Sequence, residues 1–258
     1  MKTAIKLALI YFGMQILAML AVLPFAYIYS YIEYGNVSQG ATLSLAPSML
    51  VGFLFMGLYL WRKDYLSNYK QLFSIFSISF LLYSILAGIS SIFVIECIMS
   101  FLSFLPDLMK DTFNLLQSGW LGILCIAVLG PILEELLFRG AITKVLLQKY
   151  SPLKAILLSG LIFGVFHLNP VQVVGGILSG FLFAWIYYKS GSLIPTILIH
   201  IINNSLSVYF TLHYPKVDHV SQIIGEPAYL IFVIVSGVLL LLSLKMINSY
   251  KNELTSQL

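Results

Sequence analysis

Residues Leu121–Gly140 read LGILCIAVLGPILEELLFRG. No charged side chain occurs from Leu121 to Leu133, and then two adjacent glutamates and an arginine follow within six positions. A bilayer charges an acidic or basic side chain at mid-helix about 2.5–3.5 kcal/mol, so such groups inside apolar helices are functional candidates by default. Whether lipid is the relevant solvent follows from the rest of the chain. Hydrophobic residues make up 60% of the 258 and charged residues 9%, against roughly 25% charged in soluble domains. Apolar runs of about 20 residues, enough for a helix to cross a bilayer core, recur along the chain. The composition therefore predicts an all-α, polytopic membrane protein.

Working outward from the charged stretch, about eight transmembrane helices are expected, at 5–31, 42–61, 71–95, 118–139, 153–168, 170–188, 193–212 and 227–247. Residues 103–117 read as a short interfacial or loop segment. The N-terminus MKTAIKLALIYFGMQ has the basic start of a signal peptide. Its apolar stretch is longer than an h-region of about 7–15 residues, so a retained first span is expected. With the N-terminus in the cytoplasm, Lys2, Lys6, Arg62, Lys63, Lys70, Arg139, Lys144, Lys149, Lys154, Lys189, Lys245 and Lys251 all fall inside. Only Lys110 and Lys216 fall outside, which is the asymmetry that cytoplasmic loops show. Both termini are thus expected in the cytoplasm. The +4 net charge reflects this topology, and no basic stripe points to nucleic acid. Cys97 and Cys125 lie in apolar surroundings without metal-ligand spacing and read as packing residues. The chain reads as one integral-membrane domain over 1–258, with the motif-bearing core at 118–210 and spans without a specific motif over 1–117.

The strongly polar residues within the spans are Glu134, Glu135, Arg139, His167, His200, Asn203 and Asn204. The helical pattern continues past Arg139 through Ile142, Val145 and Leu146 to the turn at Ser151-Pro152. Glu134 lies 17 residues before Ser151 and His167 lies 16 after it. In an antiparallel hairpin both sit about 24 Å from the turn, so carboxylate and imidazole are expected to meet. Glu135 and Arg139 are spaced i, i+4 and can pair, while Glu134 points about 100° away. Phe163 and His167 share one stripe, as do His200 and Asn204. Asn203 falls off that stripe and reads as structural. Gly160-x-x-x-Gly164 and Gly176-x-x-x-Gly180 would let two helices pack closely beside these groups.

A glutamate beside a histidine can hold and deprotonate water, as Glu134 with His167 would. A second histidine and an asparagine, His200 and Asn204, can donate to the oxyanion of a tetrahedral intermediate. Glu135 with Arg139 would fix the helix and the local field. This scheme needs no cofactor. The same set Glu134, His167 and His200 could instead ligate a zinc ion that activates the water.

At these residues the chain resembles the CPBP intramembrane proteases, which include the Rce1-type CAAX prenyl endopeptidases and the Abi or bacteriocin-immunity proteins. Three motifs carry the resemblance, in the family's order: Glu134-Glu135-Leu-Leu-Phe-Arg139, Phe163-Gly-Val-Phe-His167 and His200-Ile-Ile-Asn-Asn204. The resemblance implies a core of eight helices around a water-filled cavity, open to the cytoplasm or laterally to lipid. It implies Glu134 as base with His167 as partner, and His200 and Asn204 at the oxyanion. The family has been described both as metal-dependent and as a metal-free glutamate protease. The implied partners are a membrane-bound peptide or protein substrate and the lipid bilayer of a bacterial plasma membrane.

The same groups admit other readings. Arg139 could snorkel to the headgroups from an interfacial helix end, and His200 with Asn204 could be interhelical glue. Ser179 in Gly176-Ile-Leu-Ser179-Gly180 is spaced one residue too long for the rhomboid serine motif, and no span contains an aspartate for an aspartyl protease. A proton- or ion-coupled transporter would use similar buried groups. A catalytically silent immunity or regulatory protein of the same family would keep them all. His213 and His219 fall in the outer loop with Lys216 and Asp218 and read as solvated.

Overall fold

The structure, a computed structural model, describes residues 1–66, 72–217 and 219–250. Lys70, Asp218 and Lys251 of the readings above lie outside the described residues. The described chain is helical throughout and contains no strand. The helices are α1 (Lys2–Tyr34), α2 (Gly40–Arg62), α3 (Ile78–Ser100), α4 (Lys110–Gln117) and α5 (Trp120–Leu147). After them come α6 (Pro152–Phe166), α7 (Pro170–Ser190), α8 (Ile194–His213), α9 (Ser221–Ile224) and α10 (Glu226–Ser249). Each expected span has a helix at its position. Six of them (α1, α2, α3, α5, α7 and α10) are long and apolar enough to cross a membrane.

The third span begins later than its hydrophobicity suggests. Ser77 is extended and its hydroxyl accepts from Phe80 N at 3.1 Å, which caps α3 and fixes its first turn. Residues 73–77 are not helical: Phe73 makes an isolated antiparallel bridge with Ser192, and Leu72 O accepts from Leu193 N at 2.8 Å. Residues 103–117 hold the short α4, as expected of an interfacial segment.

Helix α5 runs unbroken through the charged stretch, but its winding is not uniform. Cys125–Leu129 and Leu136–Thr143 are π-helical turns, placed on either side of Gly130–Glu135. In the first, Gly130 N–H reaches Cys125 O, five residues back, and Pro131 follows without an amide to continue the α ladder. In the second, the Thr143 hydroxyl takes Phe138 O at 2.8 Å and meets Ser159 Oγ of α6 at 2.6 Å. Widened turns of this kind inside α-helices are frequent at functional sites.

The two glycine pairs do what their spacing predicts. A Cβ on Gly180 would stand 2.9 Å from Gly160 Cα, and one on Gly176 would stand 3.0 Å from Gly164 Cα. Helices α6 and α7 therefore touch backbone to backbone, which buries Phe163 between them and α5. Helix α6 spans only about 22 Å at 15 residues, short of a hydrocarbon core of about 30 Å. Its end is covered by protein. Leu168 turns the chain at φ 55°, and the buried Asn169 side chain accepts from Leu108 N at 2.9 Å and donates to Asp107 Oδ1 at 2.8 Å. Large apolar side chains face outward on the long helices, for example Leu230, Ile231 and Leu241 of α10, as lipid contact requires.

The close approach gives a stability prediction. A methyl group on Gly164 would lie 2.5 Å from Ile177 N, whereas one on Gly13 meets nothing within 4 Å. Gly164→Ala should cost about 1–3 kcal/mol and lower the melting temperature of the purified protein, while Gly13→Ala should melt at or above wild type.

Candidate active site

The polar residues of α5 and α8 meet on one axis. Arg139 Nη1 donates to Glu135 Oε1 at 2.9 Å, and both side chains are fully buried. The same oxygen accepts from His200 Nδ1 at 2.9 Å. A carboxylate oxygen offers only lone pairs, so Nδ1 carries the proton and His200 turns Nε2 the other way. That nitrogen stands 3.7 Å from Glu134 Oε2. Glu134 is the carboxylate left partly open, with 19% of its side chain exposed against 0% for Glu135.

Two phenylalanine rings hold the buried guanidinium. The Arg139 guanidinium carbon lies 4.2 Å from the Phe163 ring centroid and 5.1 Å from that of Phe183. Cation–π contacts of this kind strengthen when desolvated. Arg139 Nη2 also approaches Gly180 O at 3.4 Å, an acceptor within reach because α6 and α7 pack so closely. Phe163 organises both histidines as well: its ring lies 5.0 Å from His167 and 5.8 Å from His200, edge-on to each. Phe183, at 5.5 Å from the His200 ring, is a wall residue that no sequence motif marks.

His167 ends α6 and its Nδ1 pairs with Phe163 O at 2.9 Å. A carbonyl only accepts, so this nitrogen too carries the proton and Nε2 is left for other partners. Asn204 Nδ2 donates to Ile126 O at 3.0 Å, a carbonyl in the first π turn. Asn203 Nδ2 donates to Asn204 Oδ1 at 3.1 Å and so sets the orientation of its neighbour.

Most sequence-selected residues thus converge, with one change of partner. Glu135 pairs with Arg139 as the spacing suggests, but Glu134 approaches His200, and neither a hydrogen bond nor an ion pair joins it to His167. The count of residues to the Ser151 turn assumed a uniform α rise. The π turn at Leu136–Thr143 intervenes and alters both rise and facing. His219 is not merely solvated: its Nδ1 lies 3.8 Å from Glu96 Oε1, which also accepts from Val220 N at 3.1 Å, and the Tyr229 hydroxyl bonds Glu96 Oε2. Glu96 falls just beyond the expected 71–95 span, which is why its hydropathy hid it. Asp107 and Asn169 were also missed; a buried asparagine before proline resembles an ordinary helix cap.

A zinc ion bonds nitrogen and oxygen at about 2.0–2.2 Å, so its ligand atoms must converge. Among the described residues no three His, Cys, Asp or Glu side chains do so, and His200 gives Nδ1 to Glu135. As placed, Glu134, His167 and His200 do not form a zinc cage, and no step below passes through a metal.

With this geometry in hand, comparison with known proteins is informative. Residues 116–206 match the family model described as "Type II CAAX prenyl endopeptidase Rce1-like". Over residues 116–206 the chain is thus similar to the Rce1-type family. A Bacillus subtilis (strain 168) protein named "Putative membrane peptidase YdiL" is 31% identical over 99 residues, 38% of this chain. That alignment spans 41% of the relative's own length. No solved structure matches the chain. The Rce1-type segment contains Glu134, Glu135, Arg139, Phe163, His167, His200 and Asn204, while α1, α2, α3 and α10 lie outside it.

The buried ion pair gives a second prediction. Arg139→Met removes the positive partner and leaves Glu135 charged in the interior, a loss of about 3–5 kcal/mol. Thermal melting in detergent should show it, and Arg139→Lys should not restore stability, because a compact ammonium reproduces neither the fork nor the stacking. The double variant Arg139→Met/Glu135→Leu should recover most of the loss.

Proposed function

We propose that this protein is an intramembrane endopeptidase that hydrolyses a peptide bond of a membrane-associated or lipidated peptide or protein. The observation that carries this reading is the chain Arg139–Glu135–His200, which delivers His200 Nε2 to 3.7 Å from the partly open Glu134 carboxylate. The Rce1-like match over 116–206 and the relative named as a membrane peptidase support it. The basic residues favour cytoplasmic termini and a site opening to the cytoplasmic side of a bacterial plasma membrane.

In this reading Glu134 accepts a proton from a water molecule as its oxygen attacks the scissile carbonyl carbon. The carbonyl π electrons move onto oxygen, and that oxyanion is met by donors rather than by bulk water. His200, protonated at Nε2, and the second amide hydrogen of Asn204 supply them, the first Asn204 hydrogen being used on Ile126 O. His167 accepts from the water through Nε2, because its Nδ1–H is committed to Phe163 O. Collapse of the intermediate breaks the C–N bond, and the leaving amine takes the proton from Glu134. Glu135 serves to hold the orientation of the His200 ring through Nδ1–H.

The test compares purified wild type with Glu134→Gln, His200→Ala and Asn204→Ala on a membrane-anchored peptide library. Glu134→Gln should lose about 10²–10⁴-fold in kcat, and Asn204→Ala about 10²–10³-fold, the loss seen for one oxyanion donor. Treatment with a chelator should leave cleavage intact. Equal cleavage by wild type and Glu134→Gln would refute the role of Glu134, and a library that wild type leaves uncut would refute the endopeptidase reading.

A further inference from the structure

The last turns of α7 and α10 leave a groove of about 390 Å³ between them, lined by Trp185, Leu244, Lys245 and Asn248. Lys189 stands on its rim: its Nζ donates to Asn248 O at 3.2 Å and lies 6.0 Å from the Trp185 ring centroid. The indole packs against the buried cluster of Phe80, Phe183 and Ile186, which fixes its position as the floor. Among the described residues no carboxylate lines the groove. Two lysines, one asparagine and an apolar floor therefore stand together near the ends of two membrane-spanning helices.

Tryptophan and lysine at helix ends mark the headgroup level of a bilayer. Each part of the groove has a counterpart in one class of molecule. A phosphate diester would pair with the Lys245 ammonium and with Lys189 on the rim. A glycerol hydroxyl suits the Asn248 amide, and the first acyl methylenes suit Leu244 and the Trp185 face. A zwitterionic lipid brings its own cation toward the lysines, and free phosphate leaves the apolar floor unused. We propose that the groove between α7 and α10 is a binding site for the headgroup of an anionic phospholipid. The topology expected from the basic residues puts it in the cytoplasmic leaflet, where anionic lipid concentrates. Helix α7 also carries Gly180 and Phe183, which hold Arg139, so this lipid is seated on the helix that forms one wall of the site.

Trp185 itself is the reporter. In the full chain carrying Trp61→Phe and Trp120→Phe, its fluorescence is titrated in vesicles containing phosphatidylglycerol or phosphatidylcholine brominated near the glycerol. Brominated phosphatidylglycerol should quench at lower mole fraction than brominated phosphatidylcholine. Lys245→Gln should weaken that preference roughly fivefold, the share of one lysine near a charged surface, and Lys2→Gln, at a distant helix end, should leave it unchanged. Equal quenching by the two lipids in the parent protein would overturn the proposal, as would an unchanged preference in Lys245→Gln. Reversal of the quenching by soluble glycerol phosphate would also overturn it, assigning the groove to a soluble ligand. None of these readouts requires peptide cleavage, so this inference and the endopeptidase reading stand or fall separately.

Discussion

The Arg139–Glu135 pair is the constraint on which the rest of the site depends. Neither side chain reaches solvent, and two charges taken out of water are stable only when their remaining valences are filled. The protein meets part of this demand with aromatic faces and a backbone carbonyl: the guanidinium lies against Phe163 and Phe183 with Gly180 O beside it, while Arg139 Nε has no hydrogen-bond partner among the described residues. Those partners come from α6 and α7, and they reach Arg139 because Gly160, Gly164, Gly176 and Gly180 allow the two helices to touch. The glycine pairs and the arginine are thus one device. Without the close packing, the guanidinium would lose the platform on which its burial rests.

The same pair sets the chemistry on its other side. Glu135 Oε1 holds His200 Nδ1, so the orientation of His200 is inherited from a salt bridge that never meets substrate. Two consecutive glutamates consequently have opposite environments. One is enclosed, paired and used as an anchor; the other is partly open and faces His200 Nε2. Environment rather than residue type separates two adjacent carboxylates, a pattern that acid and base pairs in other active sites also show.

Much of this was legible in the residues alone. The composition and recurring apolar runs place the chain in a bilayer, and i, i+4 spacing links Glu135 with Arg139 and Phe163 with His167. Small-x-x-x-small spacing marks the α6–α7 contact. What the periodicity could not carry was local winding. A hydropathy profile has no signal for π turns, so a count at uniform rise aligned Glu134 with His167, whereas α5 is rewound between Glu134 and the hairpin turn. Nor does the sequence announce Phe183, whose part depends on being opposite Arg139 rather than on any motif. Glu96 and Asn169 escaped for a related reason: each sits where a span ends, and polarity there is ordinary.

The two π turns offer a reason why α5 is built irregularly. A regular α-helix commits each carbonyl to the amide four residues on, so a second partner must share it. The first widened turn presents Ile126 O to the Asn204 amide of α8. The second presents Phe138 O to Thr143, whose hydroxyl meets Ser159 of α6. The first π turn thus gives a backbone acceptor to α8, the second places a hydroxyl against α6, and Glu134 and Glu135 lie on the short α-helical segment between them. In lipid, where an unsatisfied carbonyl is expensive, such a turn persists only with a partner in place. The polar contacts that tie α5 to α6 and α8 are thus the ones that hold the two glutamates in register with His200.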